Sequence, residues 1–344
     1  MKRFILITLC FLSGIFLTAC NDRSELKDDK TNQIHEDIVF RFQENFSPIA
    51  PIVSFDFVGN ERLVVITEKN QLILYDNSGK QSKIIDIHGA GQFEMMNPSI
   101  VKKFQDHFFV WCTDLLKIVQ FDNEGNPVDE YLGFDHAIRD FSVSKDHIIT
   151  YIPNITHQHY IQVFQKSPFK KVKEFGYVEN EQVLLNFNAC SGAMDIWNNM
   201  LLYAPSHSLR IHNLDLDRMV DDKIIFLEDE KFKVEKLEQD AKTIMNQDRI
   251  KALEYGLKNS ILKGIYILDN FFVLLAEVGQ IELNNFQPIS LDREELVLVL
   301  DRNFNLVKKI NLPFEFNKPC NLIRSYDNNY NTPHLLDQKY QLLS

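Results

Sequence analysis

The chain has 344 residues, 45% of them hydrophobic, and carries 37 Lys and Arg against 48 Asp and Glu, a formal net charge of −11. That balance argues against a nucleic-acid partner, because phosphate binding needs clustered positive charge. The 27 Phe and 11 Tyr, set among many Ile and Val, favour strands, and the length suffices for one large domain or two small ones.

Lys2 and Arg3 give a short positive start, and residues 4–16 then read FILITLCFLSGIF without a charge. A run this short suits the core of a secretory signal and falls short of the roughly 20 apolar residues of a membrane-spanning helix. Leu17-Thr18-Ala19-Cys20 follows. These four residues resemble the lipobox of bacterial lipoproteins. The resemblance implies cleavage before Cys20, diacylation of its thiol and acylation of the new amino group. Residues 1–19 are then a signal peptide and Cys20 the lipidation site. Residues 21–37, NDRSELKDDKTNQIHED, carry little to bury. The segment 20–37 therefore reads as a lipidated tether and 38–344 as the folded domain. Three acyl chains would hold it firmly, each buried methylene contributing about 0.8 kcal/mol.

Past the tether the chain repeats. Residues 72–79 read LILYDNSG and residues 118–125 read IVQFDNEG, an offset of 46. Each follows an apolar run and leads into another. Asp-Asn-x-Gly between two such runs is hairpin chemistry, since Asn and Gly accept positive φ at little cost. The pattern recurs in five units, about 50–88, 98–134, 137–176, 188–228 and 262–313. Two strand-like remnants lie outside them, IVFRF at 38–42 and NLIRSY at 321–326. Joined, they would complete a sixth unit and remove the exposed edges of a linear array. The expectation is an all-β, six-bladed β-propeller closed by its N- and C-terminal strands. One helical insertion is expected near 229–258, where Leu237, Ala241, Ile244 and Met245 share a face and Gly256 is placed to end it.

Between the first two units lies His88-Gly89-Ala90-Gly91-Gln92-Phe93-Glu94-Met95-Met96-Asn97-Pro98. It resembles the Gly-x-Gly-Pro-x-Glu-Phe…Pro linker of the TolB-like six-bladed propeller lipoproteins of Bacteroidota. Gly89, Gly91, Glu94 and Pro98 match, whereas Gln92 replaces the usual proline and Met95 an aromatic. The resemblance implies a cell-envelope propeller and supplies no catalytic residues.

In a propeller such linkers ring one end of the central channel. That places Glu94, Asn97, His136, Arg139, Asp140, Asn188, Ser191, Lys263, Asn321 and Arg324 as candidate ligand-binding residues of mixed charge. His157 and His159 could share a strand face and chelate a metal, but Pro153 and Asn154 point to a loop instead. Asp215, Asp217, Asp221 and Asp222 lack the spacing and glycine of a calcium loop. After Cys10 and Cys20, the cysteines are Cys112, Cys190 and Cys320. They read as buried thiols, with a Cys190–Cys320 bridge left open.

Two functions fit. The first is an outer-membrane lipoprotein, on either side of that membrane, whose propeller binds an envelope protein, a peptide or a small molecule without a cofactor. The second is a metal-dependent propeller hydrolase of lactonase or esterase type. It would hold Ca²⁺ or Zn²⁺ in the channel through residues such as Glu94, Asn97, Asp140, Asn188 and Asn321. No Gly-x-Ser-x-Gly, His-Glu-x-x-His or phosphate loop supports catalysis, so the binding reading is preferred.

Overall fold

Each of the five repeat units folds as a four-stranded antiparallel meander, first strand to fourth in chain order. In the computed structural model, residues 52–313 are described apart from 59–61, 77–79, 154–155, 189–192, 198, 248, 269–270 and 285–286, together with 5–6, 41–42, 322–327 and 330–336. Blade 1 starts with Ile52–Val58, blade 2 with Pro98–Phe104, blade 3 with Asp140–Val143, blade 4 with Ala193–Trp197 and blade 5 with Ile261–Ile267. These first strands lie side by side in sequence order. The chain is therefore an all-β propeller, in which helices are minor.

Among the described residues the expected six-bladed ring is replaced by five blades. The described residues give five four-stranded blades and, after the fifth, only a two-stranded hairpin, Leu322–Asp327 with Tyr330–Leu336. Arg41–Phe42 pairs with Ile5–Leu6 and not with that hairpin. The reason is supply of strands: the two remnants were expected to complete one another, but the C-terminal one finds its partner locally.

The turn between third and fourth strands explains why the repeat is readable. Asp122 Oδ1 accepts from the N–H groups of Glu124 (3.0 Å) and Asn126 (2.8 Å). Asp301 Oδ1 does the same for Asn303 and Asn305, both at 2.8 Å. Asp215 accepts from Asp217 and Arg218, and Asp76 from Lys80. A carboxylate at this position fixes the turn by satisfying its free donors. Blade 3 departs from the rule, with Gln165 donating to Ser167 O before a cis Ser167–Pro168 bond.

Packing between blades is apolar. Leu74, Val101, Val110 and Phe121 fill the step from blade 1 to blade 2. Trp111, Phe141, Ile161 and Tyr203 belong to one cluster running from blade 2 to blade 4, and Leu202, Leu274 and Leu298 join blade 4 to blade 5. Cys112 is a buried free thiol in this core, and burial pushes its pKa up to about 12. Cys190 and Cys320 lie outside the described residues.

Polar side chains stitch the innermost strands. Ser54 Oγ accepts from Val101 N–H at 3.1 Å and Asp56 Oδ2 from Lys103 N–H at 2.8 Å. Lys102 pairs with Asp140 at 2.8 Å, and Asp195 Oδ2 accepts from Ile267 N–H at 2.8 Å. Each bond crosses from one first strand to the next, where no backbone ladder can satisfy the edge.

The linker from blade 1 to blade 2 is clamped from beneath. Lys117, 3% exposed, donates to Gly91 O and to Glu130 Oε2, both at 2.9 Å. Glu130 also accepts from Phe93 N–H at 3.0 Å. Burial pushes the Glu130 carboxyl up, but the Lys117 and Phe93 hydrogen bonds outweigh it and hold the group below the usual carboxylate range. Lys117→Met leaves Glu130 without its cation. The expected loss is about 3 kcal/mol of unfolding free energy, since breaking a buried pair from one side costs more than the pair contributes. Urea unfolding of the single variant and of Lys117→Met/Glu130→Leu checks this, with the double variant expected to recover part of the loss.

Candidate functional site

The ring is elaborated at blades 4 and 5. The sequence predicts one helix over 229–258, and the structure has two there, α2 (Ala241–Gln247) and α3 (Arg249–Lys258), after a non-helical stretch. A further helix, α1 (Asn180–Asn188), precedes blade 4. Of the predicted face, Ala241, Ile244 and Met245 lie on α2, whereas Leu237 precedes the helix. Ala241 is buried, and Leu237, Ile244 and Met245 pack with it against Val183 and Leu184 of α1 and Ala252 of α3. Gly256 does not end the helix, which runs on to Lys258.

Hydrogen bonds tie the three helices together. Asp240 caps α2 by accepting from Thr243 N–H at 2.9 Å. Leu237 N–H donates to Glu181 at 2.9 Å, and Glu235 N–H to Asn259 Oδ1 at 2.6 Å. On the other side Gln182 donates to the Tyr151 hydroxyl at 2.9 Å, and Leu262 N–H to Ser206 O at 2.7 Å. The first of these bonds fixes α1 to blade 3, and the second joins blade 5 to blade 4.

Blade 5 meets them with an overlong hairpin. Its second and third strands, Phe271–Asn284 and Gln287–Asp301, pair throughout, but the first strand stops opposite Glu277. At the root of the extension Lys263 contacts Glu277 at 2.6 Å and Arg293 contacts it at 3.0 Å. Arg293, 6% exposed, also donates to Gly256 O (3.2 Å), Leu257 O (3.0 Å) and Asn259 O (3.3 Å). One guanidinium thus satisfies the last carbonyls of α3 and faces the negative end of its dipole. Burial raises the Glu277 pKa, but the charges of Lys263 and Arg293 prevail and hold it below the ordinary value. Gly279 has φ +89°, and a Cβ there would collide with Asp292 O.

A cleft of about 490 Å³ opens between this hairpin, the segment after blade 4 and the end of α3. Lys233 and Lys258 stand on one wall, and Gln280 and Asp292 on the facing hairpin. Lys231 is committed to Glu294 at 2.6 Å, and Asp229 to Lys309 at 2.5 Å. Ser260 joins the first wall by donating its N–H to Lys233 O at 2.9 Å and accepting from Lys233 N–H at 3.0 Å. Val278 forms a buried floor.

Of the residues predicted from sequence whose side chains are described, Lys263 alone belongs to the root of this hairpin, at a register shift in the first strand of blade 5. Glu94 folds back on its own linker, accepting from Gly91 N–H at 2.6 Å and filling the space where Gly89 and Gly91 lack a Cβ. Asn97, at φ +50°, donates to Asp114 at 3.3 Å. Asp140 is paired with Lys102, and Arg139 is exposed. Asn188 ends α1 and Arg324 lies in the C-terminal hairpin, both with side chains outside the described set. Cys20, Ser191 and Asn321 are outside the described residues.

His136 and His157 meet edge to face at 4.3 Å, and His159 opens a strand rather than lying in a loop, 3.7 Å from Glu174. Asp215 and Asp222 bind Arg218, Asp217 binds Asn199, and Asp221 binds Tyr203 and His212. Among the described residues no three His, Cys, Asp or Glu side chains are grouped to hold a metal, and no helix is long and apolar enough to cross a membrane.

In the sequence FFVLLA (271–276) and LVLVLD (296–301) have the look of separate short strands, and nothing between them marks a continuous hairpin. The length of the fifth unit was the available signal.

No known family and no curated protein matches the chain. Solved structures do. A member of the DUF4221 family from Bacteroides vulgatus superposes with a TM-score of 0.59 at 11% identity, covering 85% of this chain and 88% of its own. A Bacteroides fragilis protein provisionally described as exported gives 0.56 at 13% identity, covering 79% and 74%. At such identities the likeness shows the fold, a propeller shared with Bacteroides proteins.

Arg293→Met is expected to speed amide exchange throughout α3 and the blade 5 hairpin while leaving blades 1 and 2 unchanged. The Glu277 pKa is depressed on folding, so its contribution is present above the unfolded carboxylate value of about 4.3 and is lost as pH falls through the folded value. The stability gap between wild type and Glu277→Gln is therefore widest near neutral pH and closes on acidification, which unfolding curves across pH measure.

Proposed function

We propose that this chain is a lipid-anchored lipoprotein of the outer membrane whose propeller is a binding scaffold, with the blade 5 cleft as its binding site. Anchoring is supported by Leu17-Thr18-Ala19-Cys20 after an uncharged run and before a polar tether. The exported description of the Bacteroides fragilis neighbour fits an envelope address.

One observation carries the binding reading. The cleft lies where the regular ring is interrupted by three helices and an extended hairpin, and its size falls in the range of small-ligand sites. Its exposed lysines, Lys233 and Lys258, have no side-chain partner among the described residues, whereas neighbouring Lys231 and Lys309 do. The walls are held by hydrogen bonds and ion pairs to the ring, so ligand binding requires little ordering.

Cys20→Ala is expected to shift the protein from the membrane to the soluble fraction and to abolish incorporation of a labelled fatty acid. Retention of both label and membrane association would reject the anchor. For the cleft, a thermal-shift screen of amino acids, peptides, sugars and nucleotides is expected to yield stabilising compounds whose effect disappears in Lys233→Glu/Lys258→Glu. A ligand at about 100 times its Kd stabilises by about 2.7 kcal/mol. A screen without any shift, or shifts that survive the double variant, would reject the cleft as the site.

A further inference from the structure

We propose, resting on the reading of the cleft as a binding site, that its ligand is a short peptide with free, zwitterionic termini, its carboxylate on Lys233 and Lys258 and its ammonium group on Asp292.

Charge distribution selects a dipolar ligand. Lys231 and Glu294 neutralise each other at 2.6 Å, which leaves Lys233, Lys258 and Glu230 on one side of the cleft and Asp292 on the hairpin. The two lysines are held on the same wall because Ser260, two positions after Lys258, donates its N–H to Lys233 O and accepts from Lys233 N–H through its Oγ. Asp292 stands on the hairpin opposite Gln280 in register. All four charged side chains belong to exposed residues. A ligand of uniform negative charge would meet Glu230, Asp292 and Glu294, and one of uniform positive charge would meet three lysines. A zwitterion meets a complementary charge at each end.

The backbone selects a peptide among zwitterions. The first strand of blade 5 ends at Ile261 opposite Glu277, while the second strand continues through Val278, Gly279 and Gln280. That edge of 278–280 has no strand beside it among the described residues, and these three residues line the cleft. An extended peptide can take the place of the missing strand through its main-chain groups. Gly279 and Gln280 are solvent-accessible there, and Val278 is buried beside them. A volume of about 490 Å³ admits a few residues rather than a long segment.

The test is calorimetric titration of the purified full chain with three probes: trialanine, N-acetyl-trialanine and trialanine amide. Trialanine is expected to bind saturably at about millimolar concentration or below, and loss of either charge to weaken binding about tenfold or more. In Lys233→Ala/Lys258→Ala the advantage of trialanine over its amide should vanish, and in Asp292→Asn its advantage over the acetylated form. These residues are exposed, and melting curves confirm that the variants are folded. No binding of trialanine, equal binding of all three probes, or preferences unchanged in the variants would overturn the proposal. If trialanine fails while another compound class stabilises the protein through Lys233 and Lys258, the peptide assignment falls and the binding site stands. If no class does, both fall.

Discussion

Each blade is apolar on both faces, and no blade can satisfy that alone. Residues such as Leu74, Phe121, Ile161 and Leu298 are almost wholly buried because a neighbouring sheet covers them. The continuously apolar strands that make a blade thus also demand its neighbours. Sheet-on-sheet packing sets the order of the first strands, and the hydrogen bonds from Ser54, Asp56, Lys102 and Asp195 follow from that order. They add specificity to an arrangement that burial drives.

The insertion at blades 4 and 5 obeys a different rule. Helices α1 to α3 share a small apolar cluster, but their ends and the overhanging hairpin bring many polar groups into contact. Arg293 resolves most of that conflict, serving three carbonyls of one element and a carboxylate of another. A lysine in its place would lack the planar, multi-donor geometry that reaches all of them. The same conflict leaves surplus charge at the rim, where Lys233, Lys258 and Asp292 face solvent. The rim is therefore a consequence of how the cap is attached, and attachment through Asp229–Lys309 and Lys231–Glu294 fixes both walls to the same blade.

What was legible in the sequence was local. The Asp-Asn-x-Gly turns show because one carboxylate satisfies several donors within four residues, and the period of the units follows from them. Blades 1 and 2 were readable on that basis and the other three from their runs of short apolar segments, and so was the face of the helical insertion through Ala241, Ile244 and Met245. The sixth blade was not a local matter. It required pairing of residues near 40 with residues near 323, and sequence says nothing about partners so far apart. Glu94 shows the same limit at small scale. Its place in the linker was readable, but its carboxylate turns inward to Gly91 rather than outward.

The cleft lay furthest from sequence reasoning because it depends on two breaks in the repeat that coincide only in space. One is the segment between blades 4 and 5, which holds Lys233 and Lys258. The other is the overlong hairpin of blade 5, which holds Asp292 and, at 278–280, residues past the end of the first strand. Both breaks border the first strand of blade 5, so the regular packing of that strand against blade 4 brings them together. Interruption of a repeat is costly unless the extra residues find partners of their own. Here the partners are found for the helix end, the buried carboxylate and the hairpin root, and the groups left over are those that face the cleft. Where an otherwise regular ring departs from its period twice at one step and leaves complementary charge there, the departure is the place to look for recognition.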